Sequence, residues 1–246
     1  MGRGLGVKAW LGNLAASLVR KYLKFTKEEY ATAGLTPKQS TPFFVDKLER
    51  LLDHLNRQLE ECKIDPKKIY ILCRGQAYFK TLFFSGDRPG DPGQVHTNPI
   101  LGFPNDDGLL CKHTWGETLR GDRSNLLGIS ICVDLKTCPV AAIERYMAIT
   151  CAMQVDPTDG FLFWLTTAQG AMSPLSISSE AMNSRLKMYL KEAGIDGDEM
   201  AHCFRSGCAI SLALLGSAMA DVMSHVHVSW ERSHTASYYM QLEKVL

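Results

Sequence analysis

Charge of one sign is what this sequence has least of: 27 Lys and Arg stand against 26 Asp and Glu, a formal net charge of +1. That balance supplies no whole-chain attraction to a polyanion, so any case for a nucleic-acid or membrane partner has to rest on local charge. Long apolar runs are missing too. The uncharged, helix-like stretch between Arg205 and Asp221 is interrupted by Gly and Ser, and falls short of the ~20 apolar residues that a membrane span requires. Paired cysteine spacing is also absent. The eight cysteines, at 62, 73, 111, 132, 138, 151, 203 and 208, contain no CxxC, and a chain of this size does not need disulfide staples. They are expected to be reduced thiols in an intracellular protein. His202, Cys203, Cys208, His225 and His227 lack the paired-ligand spacing of a zinc site. No internal repeat is present.

What is there is an ordinary globular composition, 46% hydrophobic and 22% charged, which excludes disorder and fibres. The length suggests one domain, or one plus a fragment. A local charge excess opens the chain: Arg3, Lys8, Arg20, Lys21, Lys24 and Lys27 outnumber Glu28 and Glu29. AWLGNLAASL there has a weak signal-peptide look, but Leu14, Leu18, Tyr22 and Phe25 continue at helical spacing past Arg20 and Lys21, so a basic amphipathic helix is the better reading. Residues 31–41 read as a linker. Pro42 is then expected in the first turn of a long core helix bearing Phe44, Leu48, Leu51, Leu52, Leu55 and Leu59. Asp65 and Pro66 read as N-cap and N1 of a second helix that ends at Ser85-Gly86. From SGDRPGDPG to GFPNDDG, turns and short helical pieces are expected. GLLCKHTWG and LLGISIC, either side of ETLRGDRSN, suit a hairpin. Helices are expected at 139–153, 179–193 and through HCFRSGCAISLALLGS, a short strand at 161–164, and a break near 226–231. The class is mainly α with one small antiparallel sheet, an α+β arrangement.

Several polar landmarks interrupt the apolar helices: Arg88 at a helix break, His202 and Arg205 in HCFR, Trp230, and Tyr239 nine residues later. Two guanidinium forks can bind the non-bridging oxygens of a phosphodiester and stabilise the charge that grows on them, and a phenol can serve as covalent nucleophile. In order and spacing, RPGD (Arg88), HCFR and Trp230 with Tyr239 resemble the catalytic domain of tyrosine recombinases, the phage-integrase family. TPKQSTPFFVDKL, WGETLRGDRSN and CPVAAIERY look, more narrowly, like its eukaryotic Crypton-like mobile-element branch. The resemblance covers about residues 38 to 246. It implies the integrase catalytic-domain fold and attack by Tyr239 on a DNA phosphate, leaving a 3′-phosphotyrosyl link and a free 5′-hydroxyl without metal, ATP or other cofactor. It also implies Arg88 and Arg205 as phosphate clamp, His202 as acid/base and Trp230 in the place often taken by a second His. Neighbouring helical residues point about 100° apart, so if Tyr239 faces the arginines, Tyr238 faces elsewhere.

The same resemblance exposes departures. The family places a proton-donating Lys in the hairpin turn, in its branch as WGKTLRG; here Glu117 takes that position, and a carboxylate ~4 Å from a phosphate repels it by about 1 kcal/mol even in water-like dielectric. Lys112, five residues away, points to the opposite face of a regular strand. Arg120 and Arg123 hold their protons too tightly to donate near neutrality. After Arg88, Asp91-Pro92-Gly93 requires either a helix restarting at Pro92 or a displaced Arg88 loop, and His225 and His227 both remain candidates for an inner position. Residues 1–35 are expected to be a remnant of the helical DNA-gripping domain plus linker, and residues 36–246 the catalytic domain, so that the chain looks like a fragment or a decayed copy. Lys112, Arg120, Arg123, Arg20, Lys21 and Lys24 are the expected DNA contacts. Double-stranded DNA, a homo-oligomer (a tetramer in the family) and a nuclear location complete the expectation. Three functions stay open: an active strand-exchange enzyme, a cleavage-dead DNA-binding relic or domesticated domain, and a protein-interaction scaffold.

Overall fold

The computed structural model describes residues 41–62, 64–98, 100–102, 108–113, 125–156, 160–167, 171–195, 197 and 199–226. Helix α1, Val45–Glu61, carries Leu48, Leu51, Leu52 and Leu55 at three-to-four spacing, and all four are fully buried. The helix starts later than expected from Pro42. Phe43 is held in place instead, its N–H donating to the Cys203 carbonyl at 3.0 Å and its ring stacked on Phe204 at 4.2 Å.

Helix α2, Pro66–Ser85, is capped as expected: the Asp65 carboxylate accepts from the Lys67 and Lys68 amides at 3.0 and 3.2 Å, with Pro66 in the first turn. From Leu72 to Phe83 every residue of α2 is buried, the pattern of a helix surrounded on all sides. It packs against α1, helix α3 (Pro139–Ala152) and helix α5 (His202–Leu214). Helix α4 is Ser179–Glu192, capped by the Ser178 hydroxyl on the Ala181 amide and ended at Gly194. Helix α6 is Met219–His225.

The expected hairpin is present as β2 (Gly108–His113) against β3 (Asn125–Ser130), antiparallel, with Lys112 opposite Leu126. Two features correct the single small sheet. A third strand, β1 (Ile100–Gly102), pairs with β2 inside the stretch read as turns. A separate two-stranded sheet joins β4 (Trp164–Thr166) to β5 (Met172–Ser176), so the strand expected at 161–164 begins later, while Phe161 makes only an isolated bridge to His96. The fully buried Arg74 ties this sheet to α2, donating to the Trp164 carbonyl and, at 3.2 Å, to the Thr166 hydroxyl. Among the described residues no helix is long and apolar enough to cross a membrane.

One close approach sets how α5 lies. A Cβ on Gly207 would stand 1.8 Å from the Phe43 carbonyl oxygen, so only glycine lets α5 rest against the segment entering α1.

Candidate functional site

The C-terminal end of α2, the N-terminal half of α5 and the end of α6 converge. Helix α2 stops at Gly86, which takes a left-handed backbone with φ 62°, a conformation that suits glycine at a helix end. A side chain there would also collide, since its Cβ would lie 2.7 Å from Val226 Cγ1 and 3.4 Å from the Cys208 sulfur. The turn thus delivers Asp87 and Arg88 into the space beside α5.

Arg205 fastens that turn from α5. It is only 6% exposed, and its Nη1 donates to the Gly86 carbonyl at 2.8 Å. Two residues of chain span at most ~7 Å, so the anchor point of Arg205 and the backbone of Arg88 share one small region. His202, exposed, begins the same helix, and its three-residue spacing from Arg205 puts both on one face.

The Arg88 loop is held from two further directions. The Asp91 carboxylate accepts from the Arg88 amide at 3.2 Å, and the Asp91 amide donates to the Arg88 carbonyl at 2.9 Å. The chain then makes a single 3-10 turn at Pro92–Gln94. Of the two arrangements open to Asp91-Pro92-Gly93, the chain takes the restart at Pro92, with the Asp91 side chain reaching back to Arg88 instead of capping forward. The Tyr78 hydroxyl donates to the Pro89 carbonyl; burial first, then Asp91 and Asp87, holds this phenol well above the usual tyrosine range.

His225 reaches the same turn from α6, with Nε2 2.9 Å from the Phe84 carbonyl. A carbonyl only accepts, so Nε2 carries the hydrogen. Asp87, next to Arg88 in the chain, is 1% exposed. Cys208 lies against Gly86 and is chemically quiet: burial, reinforced by Asp87 and opposed by Arg205, pushes its thiol up to about 12.

The turn bearing Arg88, the buried Arg205 and His225 thus meet at one junction of three helices, and His202 stands one helical turn before Arg205. Lys112 lies on β2, and its side chain is outside the described positions. Trp230, Tyr238, Tyr239, His227, Glu117, Arg120, Arg123, Arg20, Lys21 and Lys24 lie outside the described residues. Asp87, Tyr78 and the Gly86 carbonyl belong to this turn as well, and no local motif marks them. The Ser85-Gly86 stop and the turn-rich SGDRPGDPG point to this turn, but a helix stop says where a chain turns and not what binds it.

No protein-family model matches the sequence, and no curated protein matches it. Solved structures do match. The XerH site-specific recombinase bound to its difH substrate in a pre-cleavage complex aligns with a TM-score of 0.59 at 14% identity, over 85% of this chain and 54% of that one. A lambda integrase dimer bound to a COC′ core site gives 0.52 at 13% identity, over 96% and 61%. XerA recombinase gives 0.50 at 15% identity, over 91% and 75%. The chain therefore spans about half the length of the XerH recombinase it aligns with. Its fold, mostly helical with small antiparallel sheets, is that of the tyrosine recombinase catalytic domain.

Proposed function

We propose that this chain is a DNA strand-breaking and rejoining domain of the tyrosine recombinase type, working through a 3′-phosphotyrosyl intermediate and weakened at one step. The observation that carries the reading is the buried bond from Arg205 to the Gly86 carbonyl, which holds the turn bearing Arg88 against the helix bearing His202. In this reading Arg88 and Arg205 bind the non-bridging oxygens of the scissile phosphate, and the Tyr239 oxygen attacks phosphorus as its proton passes to the His202 side. Trp230 packs beside the phosphate. The 5′-oxygen departs, and religation reverses the steps. A second duplex strand at the same junction turns cleavage into recombination or integration.

The weakened step is departure of the 5′-oxygen, because Glu117 stands where a proton-donating Lys is expected. This gives a test. A 5′-bridging phosphorothiolate leaves as a thiolate, which needs no proton near neutrality because thiol pKa values lie near ~8.5. Duplexes carrying that linkage, flanked by randomised sequence, are expected to form a denaturant-stable protein–DNA adduct, whereas ordinary duplexes form little. Glu117→Lys is expected to restore the adduct on ordinary DNA by at least tenfold. Tyr239→Phe is expected to abolish it and Tyr238→Phe to leave it; the reverse pattern would sink the assignment of the nucleophile.

Glu117 also favours a second reading, a domain that binds DNA without cutting it. Its signature is salt-dependent binding with no adduct even on phosphorothiolate DNA. Loss of all DNA binding at low salt would instead leave a protein-interaction scaffold. The Crypton-like branch, a remnant DNA-gripping segment at 1–35 before a catalytic domain at 36–246, assembly as an oligomer on DNA, and a nuclear location belong to the same proposal, resting on the quoted sequence motifs and on DNA-bound neighbours such as XerH and the lambda integrase dimer.

A further inference from the structure

A second cluster of reactive groups lies where the hairpin strand β3 hands over to α3. Asp134 folds this loop on itself: its carboxylate accepts from the Lys136 amide at 3.0 Å and from the Thr137 hydroxyl at 3.3 Å. The turn brings residues 132 and 138 together. The Cys132 amide donates to the Cys138 sulfur at 3.3 Å, and the Cys132 thiol reaches the Ser130 carbonyl at 3.9 Å. Cys138 is fully buried at the foot of α3, while Cys132 is half-buried in a loop whose Val133 is 84% exposed. The Lys80 amine on α2, only 4% exposed, is close enough to interact electrostatically with both cysteines.

From this geometry we infer that Cys132 and Cys138 form a redox-active dithiol, with Cys132 taking up a small-molecule disulfide and Cys138 resolving it into a Cys132–Cys138 disulfide. A sulfur 3.3 Å from the other cysteine's own amide is within one side-chain rotation of the second sulfur, and a disulfide needs Cβ atoms about 4 Å apart. The exposures assign the order, because only Cys132 can meet a reagent from solvent. With oxidised glutathione, the Cys132 thiolate attacks one sulfur, forming a mixed disulfide and expelling one glutathione thiolate. Cys138, as thiolate, then attacks the Cys132 sulfur, breaks the mixed disulfide and expels the second glutathione. Two protein thiols and one oxidised glutathione become one protein disulfide and two glutathiones, so protons and electrons balance. Burial and the neighbouring Cys138 sulfur raise the Cys132 thiol above its ordinary range, and Lys80 works in the opposite direction. Lys80 is therefore a positioning charge for the thiolate. The ring would close the loop that joins the hairpin to the helical core, independently of any action on DNA.

The test is peptide mapping of the whole chain after incubation with oxidised glutathione. Trypsin cuts after Lys136, between the two cysteines, so the disulfide appears as two peptides held together and separated by reductant. Wild type is expected to give this linked pair. Cys138→Ala is expected to stop at the glutathione adduct on Cys132, and Cys132→Ser to leave Cys138 unmodified. Lys80→Met is expected to slow adduct formation on Cys132 severalfold while leaving the exposed Cys151 unchanged. A wild-type chain that keeps the glutathione adduct on Cys132 without ring closure, or that reacts at Cys151 and never at Cys132, overturns the inference. Both readouts come from wild type and stand even if a variant fails to fold.

Discussion

Arg205 shows how a single residue can serve stability and chemistry together. Its guanidinium is buried, and one nitrogen is committed to the Gly86 carbonyl; with five N–H groups a guanidinium can serve more than one partner at once. Arg205→Ala removes the donor from that carbonyl. A hydrogen bond to a charged group contributes on the order of 2 kcal/mol, so the variant is expected to lose about that much unfolding free energy, read as a lower urea midpoint at unchanged slope without any DNA present; an unchanged midpoint would mean that the turn stands without Arg205. Lys80 makes the opposite case, a charge that burial opposes. Its amine is lowered from the ordinary 10.5 to about 8, chiefly by burial and then by Arg145, with Cys138, Asp134 and Cys132 acting the other way. Below about pH 8 the folded and unfolded chains both hold the proton, so this group gives no slope. Between about 8 and 10.5 only the unfolded chain holds it, and stability rises with pH. Urea midpoints of wild type and Lys80→Met at pH 7.5 and 9.5 check this: Met is expected to be the more stable at the lower pH, with its advantage shrinking at the higher.

At the scale of elements, the contact between α5 and the segment entering α1 leaves no tolerance. Gly207→Ala would drive a methyl group to 1.8 Å from the Phe43 carbonyl oxygen. Backbone, unlike a side chain, cannot swing away, and overpacking of this kind costs about 1–3 kcal/mol or more. The variant is expected to melt well below wild type, whereas Gly90→Ala, with nothing within 4 Å of the added atom, is the matched control; equal melting of the two would contradict this packing. The helices were legible in the sequence because each signal is local: Asp65 and Pro66 start α2, Gly194 ends α4, and the leucines of α1 keep their spacing. The strands were less so. Ile100–Gly102 is a strand only because β2 offers it a ladder, and the surrounding Gly and Pro conceal that. Met172–Ser176 contains Pro174, which a two-stranded sheet tolerates because each strand has a free edge. The site divides in the same way. HCFR places His202 and Arg205 on one helix face by spacing alone, but the bond from Arg205 to Gly86 joins residues 119 apart, and no local pattern encodes it.

For the whole molecule, the decisive quantity is charge distribution. A net charge of +1 gives no long-range field to draw DNA in, so binding of the proposed kind has to come from individual phosphate contacts, and such contacts can be counted. Each Lys or Arg that neutralises a phosphate adds about 0.9 to the slope of log affinity against log salt. If Arg20, Lys21 and Lys24 grip the backbone, replacing all three with Gln is expected to flatten that slope by about 3. Replacing Arg120 and Arg123 is expected to flatten it by about 2, and Arg88 or Arg205 singly by about 1 each. Fluorescence anisotropy of a labelled duplex between ~50 and ~200 mM salt measures all of these. The pattern separates two designs. If Arg20, Lys21 and Lys24 dominate, the grip on DNA comes from that basic segment and the junction arginines only align the phosphate. If the triple variant changes nothing while the junction arginines do, the contact is confined to the catalytic face. A slope near zero for wild type would remove DNA from the account and leave the fold without its proposed substrate.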